Sequence, residues 1–102
     1  MKYSELSPER QRLLIKMSEI GFGKISNLLI QNGEPLFLTH TKVVRDIALD
    51  KSVDVSLYNP DAALKPQVVR MLKQFGNIRD GTIPSIRIQN GLPFRLQIKE
   101  KI

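Results

Sequence analysis

Apolar residues at Leu13, Leu14, Met17 and Ile20 recur at helical spacing behind the segment Ser7-Pro8-Glu9-Arg10. Ser7 is placed to cap a helix, Pro8 suits its first turn, and Glu9 favours its positive end. The helix is expected to stop at Gly21-Phe22-Gly23. An apolar run from Ile25 to Ile30, the dipeptide Asn32-Gly33 and a second run from Pro35 to Leu38 then spell a hairpin. Residues 41–50 fit either of two states: Val43, Val44, Ile47 and Ala48 suit a helical face, whereas the adjacent valines favour a strand. Ser52 to Leu57 alternates, with Val53, Val55 and Leu57 on one side, and reads as a strand. Asn59-Pro60-Asp61 predicts a turn and cap for a second helix running through Phe75, with Pro66 tolerable only in its first turn. Val68, Val69, Met71, Leu72 and Phe75 would form its buried face, and Gly76-Asn77 its end. Ile83 to Ile98 predicts a second hairpin around Asn90-Gly91.

The two hairpins are the same sequence written twice. Setting Gly23 against Gly81 aligns residues 23–38 with residues 81–96 at a fixed offset of 58, with 8 of 16 positions identical. The identities include the whole Ile-Gln-Asn-Gly run and the proline two residues beyond it. Upstream, Ile15-Lys16-Met17 is set against Val69-Arg70-Met71, which requires four extra residues in the second copy before its glycine. A unit that cannot bury its apolar face alone stacks on its twin. The expected fold is therefore α+β: a tandem duplicate of a helix plus β-hairpin unit, forming a pseudo-twofold single small domain. The halves divide at residues 1–58, which carry the extra middle segment, and 59–102.

Register is read from which side chains share a face. A three-residue loop Asn90-Gly91-Leu92 would pair Ile88 with Phe94, Ile86 with Leu96 and Pro84 with Ile98, leaving Arg87 opposite Arg95 on a polar outer face. A two-residue loop would mix apolar and charged residues, so the longer loop is expected. The same register in the first copy pairs Ile30 with Leu36 and Leu28 with Leu38, and sets Leu29 opposite Phe37 on an outer face that is apolar. Like charges directly opposite in a sheet repel. Arg87 and Arg95 therefore either hold an anion between them or splay into water.

Charge sharpens this contrast. The net charge is +6, but residues 1–58 hold 8 Lys and Arg against 7 Asp and Glu, and residues 59–102 hold 8 against 3. The basic excess lies in the second half, where it favours a phosphate-bearing partner. Candidate contacts are Arg70, Lys73, Arg79, Arg87, Arg95, Lys99 and Lys101, with Lys65 near them. A helix followed by a hairpin also resembles the tail of a winged helix, although the Asn-Gly tip carries no charge. No helix has the dense Arg, Asn and Gln content that base-edge readout uses.

Catalytic chemistry finds few parts. The chain has no cysteine and one histidine, His40, in the loop Thr39-His40-Thr41. No histidine pair for a metal and no nucleophile–base set can be argued from spacing. Asp46 and Asp50, four residues apart, and Asp54 supply no complete ligand set, and Gly21-Phe22-Gly23 follows no predicted strand, as a phosphate-binding fingerprint would. The chain is expected to be non-enzymatic, with no cofactor and no metal. No apolar run is long enough to span a membrane and the N-terminus lacks the apolar core of a signal peptide, so a cytoplasmic protein of bacterial style is expected.

Residues 77–102 resemble the YezD-like family of small bacterial proteins. The likeness is carried by Ile78-Arg79-Asp80-Gly81-Thr82-Ile83, by Ile88-Gln89-Asn90-Gly91 and by the closing run Ile98 to Ile102. This chain departs from that pattern at Asn90, where the family has Asp, at Asp80, where an aromatic is usual, and by about one extra residue between Gly81 and the turn. The resemblance implies single-copy relatives able to dimerise; it brings no activity with it. Two functional expectations follow. The first is a small binding protein that meets nucleic acid or another polyanion through its basic half, in a regulatory role. The second is a protein-interaction or assembly module, a homodimer included, that docks through Leu29 and Phe37.

Overall fold

The computed structural model describes residues 1–50 and 63–99 of the chain. The expectations for Ser52–Leu57, for Asn59-Pro60-Asp61 and for Lys101 lie outside those residues. A short 3-10 turn at Tyr3–Glu5 leads into helix α1, Pro8–Ile20. Strands β1, Gly23–Gln31, and β2, Glu34–Leu36, form the first hairpin, and β3, Lys42–Arg45, follows. Helix α2 spans Pro66–Ile78, and strands β4, Gly81–Gln89, and β5, Leu92–Gln97, form the second hairpin. The fold is α+β, with two helices on one face of a five-stranded antiparallel sheet ordered β2-β1-β4-β5. Strand β3 pairs β1 on the same edge as β2, alongside Gly23 to Ser26. The ambiguous middle segment thus resolves as a short strand, which its adjacent valines favour.

Local chemistry sets the helix ends. Ser7 caps α1 by accepting the Arg10 backbone N–H at 3.3 Å, with Pro8 at the first helical position. α2 begins one residue after Lys65, which supplies no side-chain cap, and Pro66 opens it. Gly76-Asn77 does not end α2, which continues to Ile78. Each helix is closed by a γ-turn with positive φ at its centre: Gly21 at φ 70 and ψ −69, and Arg79 at φ 60 and ψ −59. The closing bonds match, with Phe22 N–H to the Ile20 carbonyl and Asp80 N–H to the Ile78 carbonyl, both at 2.7 Å.

The expected four-residue insertion upstream of the second glycine is absent. Shifting α1, Pro8–Ile20, by 58 lands on Pro66–Ile78, the bounds of α2. The helices therefore align at the same offset as the hairpins. This places Leu6 on Leu64, Pro8 on Pro66, Arg12 on Arg70, Leu14 on Leu72 and Ile20 on Ile78. The buried trio Leu13, Leu14 and Met17 falls on Met71, Leu72 and Phe75, which are also buried. The central pairing obeys the same exchange. Gly23 pairs with Ile88, and its mirror image under the offset, Gly81 with Ile30, is also a pair. One apolar cluster joins both helices to Ile25, Leu28, Ile30, Ile83, Ile86 and Ile88 from the two central strands.

The hairpin turns differ from the expected register. Both are two-residue loops, Asn32-Gly33 and Asn90-Gly91, with positive φ at both residues, as the type I′ turn demands. In the second hairpin Gln89 pairs with Leu92 and Ile88 with the buried Pro93; a bulge then restores Arg87 to Arg95 and Ile86 to Leu96. The residue left over is Phe94, which the expected register had placed in the core opposite Ile88. β5 ends at Gln97, so the expected pairing of Pro84 with Ile98 is not formed among the strands. In the first hairpin Leu29 pairs with Leu36 and Ile30 with Pro35. After Leu36 the chain leaves the sheet edge for residues 37–41 and returns as β3. Phe37 packs against the core in that excursion, so it does not stand opposite Leu29. The Thr41 hydroxyl clips the detour by accepting Leu38 N–H and donating to the Asn27 carbonyl, each at 2.9 Å.

The turns dock crosswise. Gly33 N–H donates to the Arg79 carbonyl beyond α2, and Gly91 N–H donates to the Gly21 carbonyl beyond α1, both at 2.9 Å. Gly33 lies against Gly76, and Gly91 against Ser18, the equivalent position of α1. A Cβ on Gly91 would lie 3.4 Å from the Ser18 Cα and one on Gly33 3.7 Å from the Gly76 Cα, so it is the turn glycines that run close to the helices. The repeated Asn-Gly turns thus fasten the two halves through their glycine N–H groups, while Asn32 and Asn90 stay exposed.

Candidate functional site

The pairing of β1 with β4 and of β4 with β5 decides what the outer face carries. Ile86 and Ile88 are buried against the helices, so Arg87 between them faces outward. Arg95 is its direct partner on β5. On its other side the direct partner is Lys24 of β1. The three cations therefore stand side by side across three adjacent strands, a span of about 10 Å at the usual strand spacing. All three are exposed, and none forms an ion pair with a described residue. Val44 of β3 completes the row as the partner of Lys24.

A depression of about 340 Å³ opens beside this row, lined by Lys24, Arg87, Gln89 and two phenylalanines, Phe22 and Phe94. These rings are 43% and 51% exposed, unusual for the largest apolar side chains of so small a protein. Their positions follow from backbone events: Phe22 directly follows the γ-turn at Gly21, and Phe94 is the residue extruded by the β5 bulge. Asp46 is the one carboxylate among the lining residues. A second, smaller hollow of about 200 Å³ continues past Phe94 toward α2, where Arg70 and Arg95 line it together.

Of the residues expected to meet a polyanion, Arg70, Arg87 and Arg95 thus border one continuous surface. Lys73 is exposed on α2 but lines neither hollow, and Lys99 lies beyond the end of β5. Arg79 precedes β4, whose first residue Gly81 is six residues, or about 20 Å of strand, from Arg87, and it closes α2. Lys24, Phe22 and Phe94 were not singled out from the sequence as contacts. Lys24 left no local signal, because its place beside Arg87 comes from the long-range register of β1 with β4.

The other end of the outer face is different. There Leu36, Leu29 and Thr82 form the equivalent row across β2, β1 and β4, with Leu29 and Leu36 half-buried. Under the offset, Leu29 stands where Arg87 does, Thr82 where Lys24 does, and Asp80 where Phe22 does. The row of three cations and the exposed rings lie at one end of the face.

His40 is exposed in the excursion between β2 and β3, as a loop histidine would be. Among the described residues no group of three or more His, Cys, Asp or Glu could hold a metal, and no helix is long and apolar enough to cross a membrane. No family model, curated protein or solved structure matches the chain.

Proposed function

We propose that this is a non-enzymatic binding protein whose outer sheet face engages nucleic acid or a related polyanion, in a regulatory role. The observation that carries this reading is the row Lys24–Arg87–Arg95. Like charges on directly opposed residues destabilise a sheet by a few tenths of a kcal/mol to about 1 kcal/mol per pair, and here two such pairs adjoin. An anion seated along the row converts that repulsion into charge-assisted hydrogen bonds. The halves also share their fold elements at one offset, which supports an origin by duplication of a helix–hairpin unit. On that view the features both halves keep are architectural, and the features only one half has are where selection for binding acted.

The test is a salt titration of binding to mixed-sequence DNA. Affinity is expected to fall steeply with salt, with a log–log slope of roughly −2 to −3 if the row contributes its three contacts. Replacing Arg87 and Arg95 by Ala should lower affinity and reduce the slope by about 2. Absence of binding at low salt would sink the proposal. A protein partner docking on the first hairpin is the second reading; its apolar outer pair is Leu29 with Leu36, since Phe37 packs against the core.

A further inference from the structure

We infer that the depression on the outer face takes single-stranded nucleic acid, with bases stacked on Phe22 and Phe94 and phosphates along Lys24, Arg87 and Arg95. This deepens the polyanion reading and rests on it. Backbone charge alone needs no aromatic group, and a protein of this size has reason to bury its rings. Yet the two phenylalanines lining this depression are each about half exposed, beside cations that form no ion pair with a described residue. Every base has a π-face, so a ring next to a cationic track is the combination that holds unstacked strands without strict sequence preference. The shape agrees. The site is a shallow hollow on a sheet, and both helices lie on the other face. Asp46 marks a point on the rim where a base amino group fits better than a phosphate. The adjoining hollow with Arg70 and Arg95 gives the strand a continuing cationic path past Phe94.

The inference separates from the broader reading by probes that carry charge without bases. Fluorescence anisotropy would compare a mixed-sequence single strand, the duplex of the same sequence, and inorganic polyphosphate. The single strand is expected to bind at least about tenfold more tightly than the duplex. The double variant F22A/F94A should lose roughly tenfold to a hundredfold in single-strand affinity while keeping polyphosphate affinity within about twofold. R87A/R95A should weaken both ligands. Because the chain has no tryptophan, F22W supplies a direct probe whose emission should be quenched by the single strand and left unchanged by polyphosphate. Full single-strand affinity in F22A/F94A, or equal binding of duplex and single strand, would overturn the stacking inference and leave the polyanion reading standing. Unaltered polyphosphate and single-strand binding by R87A/R95A would instead remove the polyanion reading itself.

Discussion

Equivalent positions that hold different residues make the sharpest tests at the residue scale. Gly21 and Arg79 both centre a γ-turn that closes a helix, with φ near +60 to +70°. Holding a non-glycine residue in such a sparsely populated conformation costs about 1–3 kcal/mol. Arg79 bears that strain, and Gly21 avoids it. Arg79→Gly is therefore expected to stabilise the protein by about 1 kcal/mol, after the extra unfolded-state freedom of glycine is subtracted. Gly21→Ala should destabilise it by about 1–2 kcal/mol. Urea denaturation midpoints at unchanged m-value would check both signs. This pairing was hidden in the sequence because Gly76-Asn77, a strong stop signal, lies before the true end of α2. A Cβ on Gly76 would meet no neighbouring atom, and α2 runs through it without a break to Ile78. The polar contacts of the first half follow the same logic. The Ser7 hydroxyl donates to a Glu34 carboxylate oxygen at 2.5 Å, and Arg10 reaches both Glu34 and the Gly33 carbonyl. In the second half those positions hold Lys65, which is exposed, and Val68 and Leu92, which join the apolar core.

At the scale of elements, the existence and place of both hairpins were legible in the sequence, and the loop length and register were not. Sorting side chains by face assumes strands that alternate without interruption. Both outer strands break that assumption, β5 by extruding Phe94 and the first hairpin by leaving the edge over residues 37–41. A burial pattern with neighbours three apart, Ile25 to Leu28 and Ile83 to Ile86, marks a matching irregularity in the two central strands. Asn27 adopts φ 58 at that point in β1. The close passage of β3 is also invisible locally. A Cβ on Gly23 would lie 2.0 Å from the Val44 carbonyl oxygen, whereas one on Gly81 would meet only a side-chain methyl of Ile78 at 3.3 Å. Gly23→Ala should consequently cost about 2–3 kcal/mol and strip hydrogen-exchange protection from Lys42–Arg45. Gly81→Ala should cost less than about 1 kcal/mol and leave that protection intact.

At the scale of the whole molecule, stability and the binding reading pull against each other at one place. Arg87 and Arg95 could be paired from the sequence because a hairpin is a local object; Lys24 joins them only through the long-range pairing of β1 with β4. Assembly of the row concentrates positive charge on one end of a chain whose net charge is already +6. Such self-repulsion weakens the compact state and is screened by salt over a Debye length of about 8–10 Å near physiological strength, comparable to the width of the row. The wild-type protein should therefore gain thermal stability as salt rises at low ionic strength. Arg87→Leu, which installs the residue found at the equivalent Leu29, removes the central charge and both opposed pairs at once. It is expected to stabilise the protein by roughly 0.5 kcal/mol at low salt, or about 2–4 °C in Tm, and to flatten the dependence on salt. The same substitution should weaken binding to single-stranded DNA. Calorimetric melting of both proteins across a salt series measures the first effect, and anisotropy on the same samples measures the second. A variant that melts lower than wild type at low salt would show that Arg87 contributes to the fold instead of straining it, and the row would then need no anion to explain it.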